Sequence, residues 1–273
     1  MEPQKDNRNR IAYSCYYTQS REGEQFVPEH VLSFQLSGTL VLDDGSRQFT
    51  SGEGSLIFVR RNQLLKFVKY PPPGGMFRSL SLYLTQDALR AFGMSYGLSA
   101  EHHISAEPVI PVEMDHLLRD YRNALLNYQE ADLHNQQLVD VKIREGILLL
   151  LQACPDLRHV LFDFAAPHKI DLEAFMNKHF HFNVKLDRFA YLTGRSLATF
   201  KRDFEYLFHT SLRRWLLQRR LQEAHYLIGQ KGRSASDIYL DLGFEDLSHF
   251  SFAFKKQFGH PPGWFQRNTG QNG

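Results

Sequence analysis

One element occurs twice in this chain. Phe200, Phe204 and Phe208 recur fifty residues later as Phe250, Phe254 and Phe258. Steps of four put each triplet on one helix face and send its rings into a core. Upstream, Phe189-Ala190 followed by Gly194 corresponds to Ile238-Tyr239 followed by Gly243, at an offset of forty-nine. The one-residue slip falls between glycine and triplet, where a turn joins two helices. A short helix, a turn whose glycine can take positive φ, and a second helix crossing steeply make a helix-turn-helix. Two such units, over about 187–208 and 234–257, constrain the last third of the chain to an all-α domain.

Local chemistry fits that pattern. The small side chain of Ala190 allows a close helix crossing, while Asp187 and Asp237 stand where N-cap acceptors belong. Ser196 and Asp246 can cap the second helix of each pair. Between the units, 212–229 reads as one helix, with Leu212, Trp215, Leu216, Leu221, Ala224, Leu227 and Ile228 on its apolar side and Gly229 as its stop. The phenylalanine stripes are core, so function lies on the opposite faces. There the first unit offers Arg195, Ser196, Thr199, Lys201 and Arg202; the second offers Ser248, His249, Ser251, Lys255 and Lys256. Arg and Lys can reach guanine O6 and N7, and Ser, Thr and His can reach base edges or phosphate. Charge supports a polyanionic partner: residues 169–273 carry 16 Lys and Arg against 10 Asp and Glu, whereas 1–168 carry 16 against 20. The expected partner is double-stranded DNA.

The stretches Leu192-Thr-Gly-Arg-Ser-Leu-Ala-Thr-Phe-Lys-Arg-Asp-Phe204, Arg220-Leu-Gln-Glu-Ala224, Asp237-Ile-Tyr-Leu-Asp-Leu-Gly-Phe244, Ser248-His-Phe250 and Phe254-Lys-Lys-Gln-Phe-Gly259 with Pro262 resemble the C-terminal signature of AraC/XylS-type transcriptional regulators. The resemblance covers roughly 170–268. It implies seven helices, with two recognition helices held by a rigid linking helix so that they enter successive major grooves on one face of the duplex. It implies base-reading positions at Ala198, Lys201 and Arg202 in the first helix and at Ser248, His249, Ser251 and Phe252 in the second. Contact with RNA polymerase and an activating role follow from the same resemblance. Five residues depart from the family pattern: Ala198, smaller than many members carry there, Phe252 where a basic residue is common, His209 for a frequent glycine, Gln266 for a frequent arginine, and Tyr239 at a usually small position. Ala198 can offer only a methyl contact. The first unit is therefore expected to discriminate bases, and the second to position.

The front of the chain has a different period. Residues 31–37 alternate apolar and polar, Asp43-Asp-Gly-Ser46 carries a hairpin turn signal, and 55–59, 64–70 and 77–84 read as further short strands. Short strands at this spacing predict a sandwich or small barrel. Gly52-Glu-Gly-Ser-Leu-Ile-Phe-Val59 resembles the strand-entry turn of cupin-like barrels. Two helices follow, over 112–128 and 137–154. The second carries Leu138, Val141, Glu145, Leu148, Leu149 and Gln152 at helical spacing and ends at Pro155. These helices either pack as a lid or form a homodimer seam. The expected fold class is α+β: a cupin-like sensory β domain over 1–110, a helical segment over 111–156, a linker over 157–168 and the DNA-binding domain over 169–268.

Phe34, Leu36, Phe58, Phe67 and Tyr83 are the expected lining of a ligand pocket in the β domain, for a small-molecule effector; a protein effector is the alternative. The strands contain no H-x-H, His30 stands alone, and His102-His103 lies in a polar loop, so neither a metal nor another cofactor is expected. No nucleophile–base order, phosphate loop or paired carboxylates indicate an enzyme. A cupin-type enzyme or a protein-binding adaptor, each with a DNA-binding tail, are the alternative readings. The longest aliphatic run, 147–151, is too short to span a bilayer, and the polar first ten residues do not read as a secretory signal. Cys15 and Cys154 lack C-x-x-C spacing. The expectation is a soluble chain of the cytoplasm.

Overall fold

The computed structural model describes residues 10–21, 25–104, 107–128 and 134–269, with side chains through 265. The opening stretch 1–9 and the Gln266 side chain lie outside these described residues. The chain divides into two compact units, Met1–Ala165 and Ala166–Gly273. The first combines sheets with helices and the second is helical, an α+β protein.

In the first unit, β1 (Ile11–Tyr16), β3 (His30–Ser37), β6 (Leu56–Val59), β9 (Phe77–Leu84) and β10 (Val109–Val112) form an antiparallel sheet in the order β1-β9-β3-β6-β10. A second sheet runs in the order β5-β4-β8, from β4 (Thr39–Asp43), β5 (Gln48–Ser51) and β8 (Lys66–Tyr70); β2 (Phe26–Val27) pairs with β7 (Gln63–Leu64). Strand parity sorts the side chains. Leu32, Phe34, Leu56, Phe58, Leu80 and Leu82 face the helices α1 (Gln86–Tyr96), α2 (His116–Leu126) and α3 (Gln136–Ala153). Ile57, Val59 and Phe77 pack on the other side, with Leu40 and Leu42 of the second sheet.

Several elements differ from the sequence reading. The apolar run 64–70 is split between two pairings, because Leu65 is buried between β7 and β8 and its N–H donates to the Gln25 carbonyl at 2.8 Å. Val112 ends β10 opposite Leu56, so the boundary expected at 110/111 cuts a strand. Helix α2 begins only where Asp115 accepts from the Leu118 N–H at 2.8 Å. Helix α1 has no counterpart among the elements expected from the sequence, although Thr85 caps its start and Gly97, at φ 63°, its end. The expected face of α3 is the wrong one. Val139, Ile143, Ile147 and Leu150 are buried, whereas Val141 is 60% and Leu148 43% exposed. Gly146 lets the inner face come close: a Cβ there would meet the Tyr121 Oη at 2.7 Å, the hydroxyl that donates to the Lys142 carbonyl at 2.5 Å. After a 3-10 turn at Pro155–Leu157, α4 (Arg158–Leu161) ends the helical layer.

The second unit has seven helices among its described residues: α5 (Leu172–His179), α6 (Leu186–Leu192), α7 (Leu197–Phe208), α8 (Leu212–Lys231), α9 (Ala235–Ile238), α10 (Leu247–Phe258) and α11 (Pro262–Thr269). Phe200, Phe204, Phe250 and Phe254 are fully buried, each ring contributing about 1.5–3 kcal/mol through burial. Trp215 of α8 meets Phe204 edge-on at 5.7 Å, and His225 meets Phe258 at a tilt with centroids 4.6 Å apart, so α8 joins both aromatic clusters. Gly229 does not stop α8. It has open space where a Cβ would sit, and the helix runs on to Gly232 at φ 64°. Nor do Asp187 and Asp237 cap: each lies in the first turn, after Lys185 and Ser234 respectively.

Candidate nucleic-acid interface

The two turns share one hydrogen-bond pattern. In the first, the Arg195 N–H donates to the Ala190 carbonyl at 3.0 Å and the Gly194 N–H to the Tyr191 carbonyl at 3.0 Å. In the second, Phe244 donates to Tyr239 and Gly243 to Leu240, again at 3.0 Å each. Gly194 and Gly243 hold φ values of +65° and +85°. A Cβ on Gly194 would lie 2.3 Å from the His168 carbonyl carbon, and one on Gly243 2.7 Å from the His181 carbonyl oxygen. Both glycines are therefore required by conformation and by space. Tyr239 does not prevent this turn, although α9 is shorter than α6.

Each turn feeds a capped helix. The Ser196 Oγ accepts from the Thr199 N–H at 3.2 Å, and the Asp246 Oδ1 accepts from the His249 N–H at 2.9 Å. Burying the phenylalanines turns the other residues outward. Ala198, Lys201 and Arg202 are exposed on α7, as are Ser248, His249, Phe252, Lys255 and Lys256 on α10; Ser251 is half-buried. Phe252 stands 70% exposed at mid-helix. Sequence reasoning missed Tyr206, 79% exposed and one turn beyond Arg202; its signal is the i, i+4 spacing from that arginine.

Arg195 is a correction. Its side chain is only 6% exposed, with Nε on the Asp203 carboxylate at 3.1 Å and Nη1 donating to the Ile170 and Thr193 carbonyls at 2.9 and 2.8 Å. A guanidinium so engaged locks the turn and does not reach a groove. That hydrogen bond, with Lys169 and Arg202 nearby, holds the Asp203 carboxyl below its usual pKa. Ser196 and Thr199 are also occupied, since the Ser196 hydroxyl donates to Thr199 Oγ1 at 2.9 Å. Arg220 of α8 plays the matching part in the second helix-turn-helix. It donates to the carbonyls of Phe180, Phe182 and Gly243, each at 2.8 Å. Burial lowers its pKa to about 10, with Glu245 opposing, so it stays cationic at neutral pH.

The five residues expected to line a pocket are not brought together. Phe34, Leu36 and Phe58 lie in the cluster under the helices and Phe67 in the cluster between the sheets. Tyr83 pairs with Val31, three residues from Phe34 and hence on the opposite sheet face. His30 is the first residue of β3, not a residue before it. It is buried against the Phe58 ring at 5.2 Å, its Nδ1 accepting from the Arg61 N–H at 3.2 Å. Burial, with Arg61 and Arg60 nearby, pushes its pKa down to about 3.

Residues 189–268 match a family model described as a helix-turn-helix domain, and residues 30–160 one described as the ExsA N-terminal regulatory domain. The HTH-type transcriptional regulator ExsA of Pseudomonas aeruginosa is 30% identical over 233 residues, covering 83% of this chain and 82% of that protein. The thermoregulatory protein LcrF of Yersinia pestis is 25% identical over 249 residues, covering 89% and 88%. Among solved structures, apo ToxT from Vibrio cholerae matches with a TM-score of 0.45 at 9% identity, covering 94% of this chain and 97% of that one.

Proposed function

The chain belongs to the AraC/XylS-type transcriptional regulators, and on that footing we propose which of its residues read DNA and what its front unit senses. It is a sequence-specific DNA-binding regulator with a regulatory N-terminal domain. Base reading falls to Ala198, Lys201 and Arg202 of α7 and to Ser248, His249, Ser251 and Phe252 of α10. Lys255 and Lys256 hold phosphates, while Ser196 stays at the helix start as the cap, its hydroxyl donated to Thr199. The observation that carries this is the matched pair of glycine turns, each leading to a capped helix with its aromatic face buried and its polar face largely exposed. Binding of operator fragments across a salt series tests it. Several phosphate contacts give a steep negative slope of log affinity against log salt, and a flat line overturns the assignment. The activator contacts RNA polymerase from the same DNA-bound state, in the cytoplasm.

For the front unit, the favoured effector is a protein. Large side chains fill the space both under the helices and between the sheets, which favours a docking surface over an enclosed ligand. A thermal-shift screen with metabolites separates the two, because a small ligand at 100-fold its Kd stabilises by about 2.7 kcal/mol. The outward face of α3, with Val141 and Leu148, favours the homodimer seam over the lid. Val141→Glu with Leu148→Glu then yields a monomer by sedimentation.

A further inference from the structure

The loop between α1 and β10 meets α4 through a cluster that serves neither the DNA interface nor the hydrophobic layer. Glu101 and His102 come from the loop and His159 from the helix, each offering one ligand atom, all within 4.8 Å of one another. The two imidazole rings lie 4.2 Å apart, centroid to centroid. His159 already turns its Nδ1 lone pair toward the loop, accepting from the Glu101 N–H at 3.3 Å. That long bond is weak, and its loss to a stronger ligand costs little. Glu101 pairs with Arg158, and the neighbouring His103 is engaged by the Asp163 carboxylate at 2.6 Å. His102 is thus the loop imidazole left to join His159.

We propose that Glu101, His102 and His159 bind one divalent transition-metal ion of the zinc or cobalt type. Two imidazole nitrogens and a carboxylate oxygen form a borderline donor set that suits these ions and leaves a fourth position for water. Imidazole nitrogens are the commonest protein ligands for such ions. Glu101 exchanges the Arg158 guanidinium for the ion, and its negative charge offsets part of the ion's. All three residues are accessible, Glu101 and His102 exposed and His159 half-buried, so side-chain rotation closes the distances without moving the core. The bound ion staples the α1–β10 loop to the last helix of the first unit, four residues before that unit ends at Ala165.

Titration of the full-length protein with Co²⁺ tests the site, with visible absorption reporting a four-coordinate nitrogen–oxygen environment. About one equivalent is expected to bind. His102→Gln and His159→Gln should each weaken it on the order of tenfold or more, and Glu101→Gln should weaken it also. His103→Gln and His116→Gln should bind as the natural protein does. Because the ligands are accessible, circular dichroism should show every variant folded. No saturable binding by the natural protein, or undiminished binding by the His102→Gln/His159→Gln double variant, overturns the proposal.

Discussion

The Nη1 of Arg220 donates to the carbonyl of Gly243 at 2.8 Å, fastening the linking helix to the turn of the second helix-turn-helix. The same guanidinium holds Phe180 and Phe182 through Nε and Nη2, so one cation sets where three backbone segments meet. A carbonyl buried without its donor loses a charge-assisted bond and gains no water. Arg220→Ala should therefore destabilise the second unit by about 2–4 kcal/mol in urea unfolding. Arg220→Lys should recover only part of this, because an ammonium cannot reproduce the fork. Unchanged stability in Arg220→Ala would show that the three bonds do not hold the turn.

Gly194 and Gly232 share nearly the same backbone conformation, at φ +65° and +64°, but not the same surroundings. A Cβ meets backbone at 2.3 Å at the first and nothing within 4 Å at the second. Gly232→Ala should cost about 1 kcal/mol, the conformational term alone. Gly194→Ala should cost about 3 kcal/mol or more, since backbone must shift as well. Equal midpoints in parallel denaturation curves would contradict the crowding.

His209 ends α7 at φ 52°, a left-handed cap made by a residue other than glycine. Its counterpart at the end of α10 is Gly259, at φ 80°. Relieving the Cβ strain, His209→Gly should stabilise the second unit by roughly 0.5–1 kcal/mol. A loss of stability would mean that the imidazole makes up for its own strain.

The roles proposed for Arg202 and Arg195 separate reading from support. Arg202→Ala should cost about 1–3 kcal/mol on the best operator and relax preference at one base position. Arg195→Ala should lower the melting temperature and weaken every sequence alike, because its side chain is internal. Measuring both on a panel of operator variants checks the distinction, and interchanged outcomes would reverse the two roles.

His30 couples the first unit to pH. Its folded pKa of about 3 lies below the ordinary histidine value of 6.5, so the unfolded chain takes up the proton first. Stability from this group is complete above pH 6.5 and declines as pH falls toward 3. The slope approaches about 1.4 kcal/mol per pH unit. His30→Gln should remove one proton from the pH dependence of unfolding between those limits. An unaltered slope in that variant would assign the acid sensitivity elsewhere.

The doubled helix-turn-helix was legible because its determinants are local. Glycine at a left-handed turn, hydroxyl and carboxylate caps at Ser196 and Asp246, and phenylalanines four apart are short-range rules that survive any tertiary setting. The hairpin turn at 43–46 was readable for the same reason, with Gly45 at φ 87° between β4 and β5. The failures fall where a residue's meaning depends on distant neighbours. Helix α3 carries aliphatic side chains on both faces, and periodicity alone could not say that Val139 and Ile143 are inside while Val141 is outside. Phe34 and Tyr83 could not be assigned to opposite sheet faces until pairing with β9 set the register.

The meaning of Arg195 likewise depends on distant neighbours. From sequence, a cation at the head of a recognition helix is a natural reader of DNA; in the fold, Asp203 and two carbonyls claim it first. Sequence by itself determined the architecture of the second unit and the identity of its outward helix faces, because these follow from spacing within a few turns of chain. Only the tertiary structure decided which charged groups are spent on internal bonds, which apolar stripe of α3 is covered, and that Glu101, His102 and His159 meet. Those outcomes depend on which surfaces come together in space, and burial, not residue type, determines whether a polar or apolar group remains available.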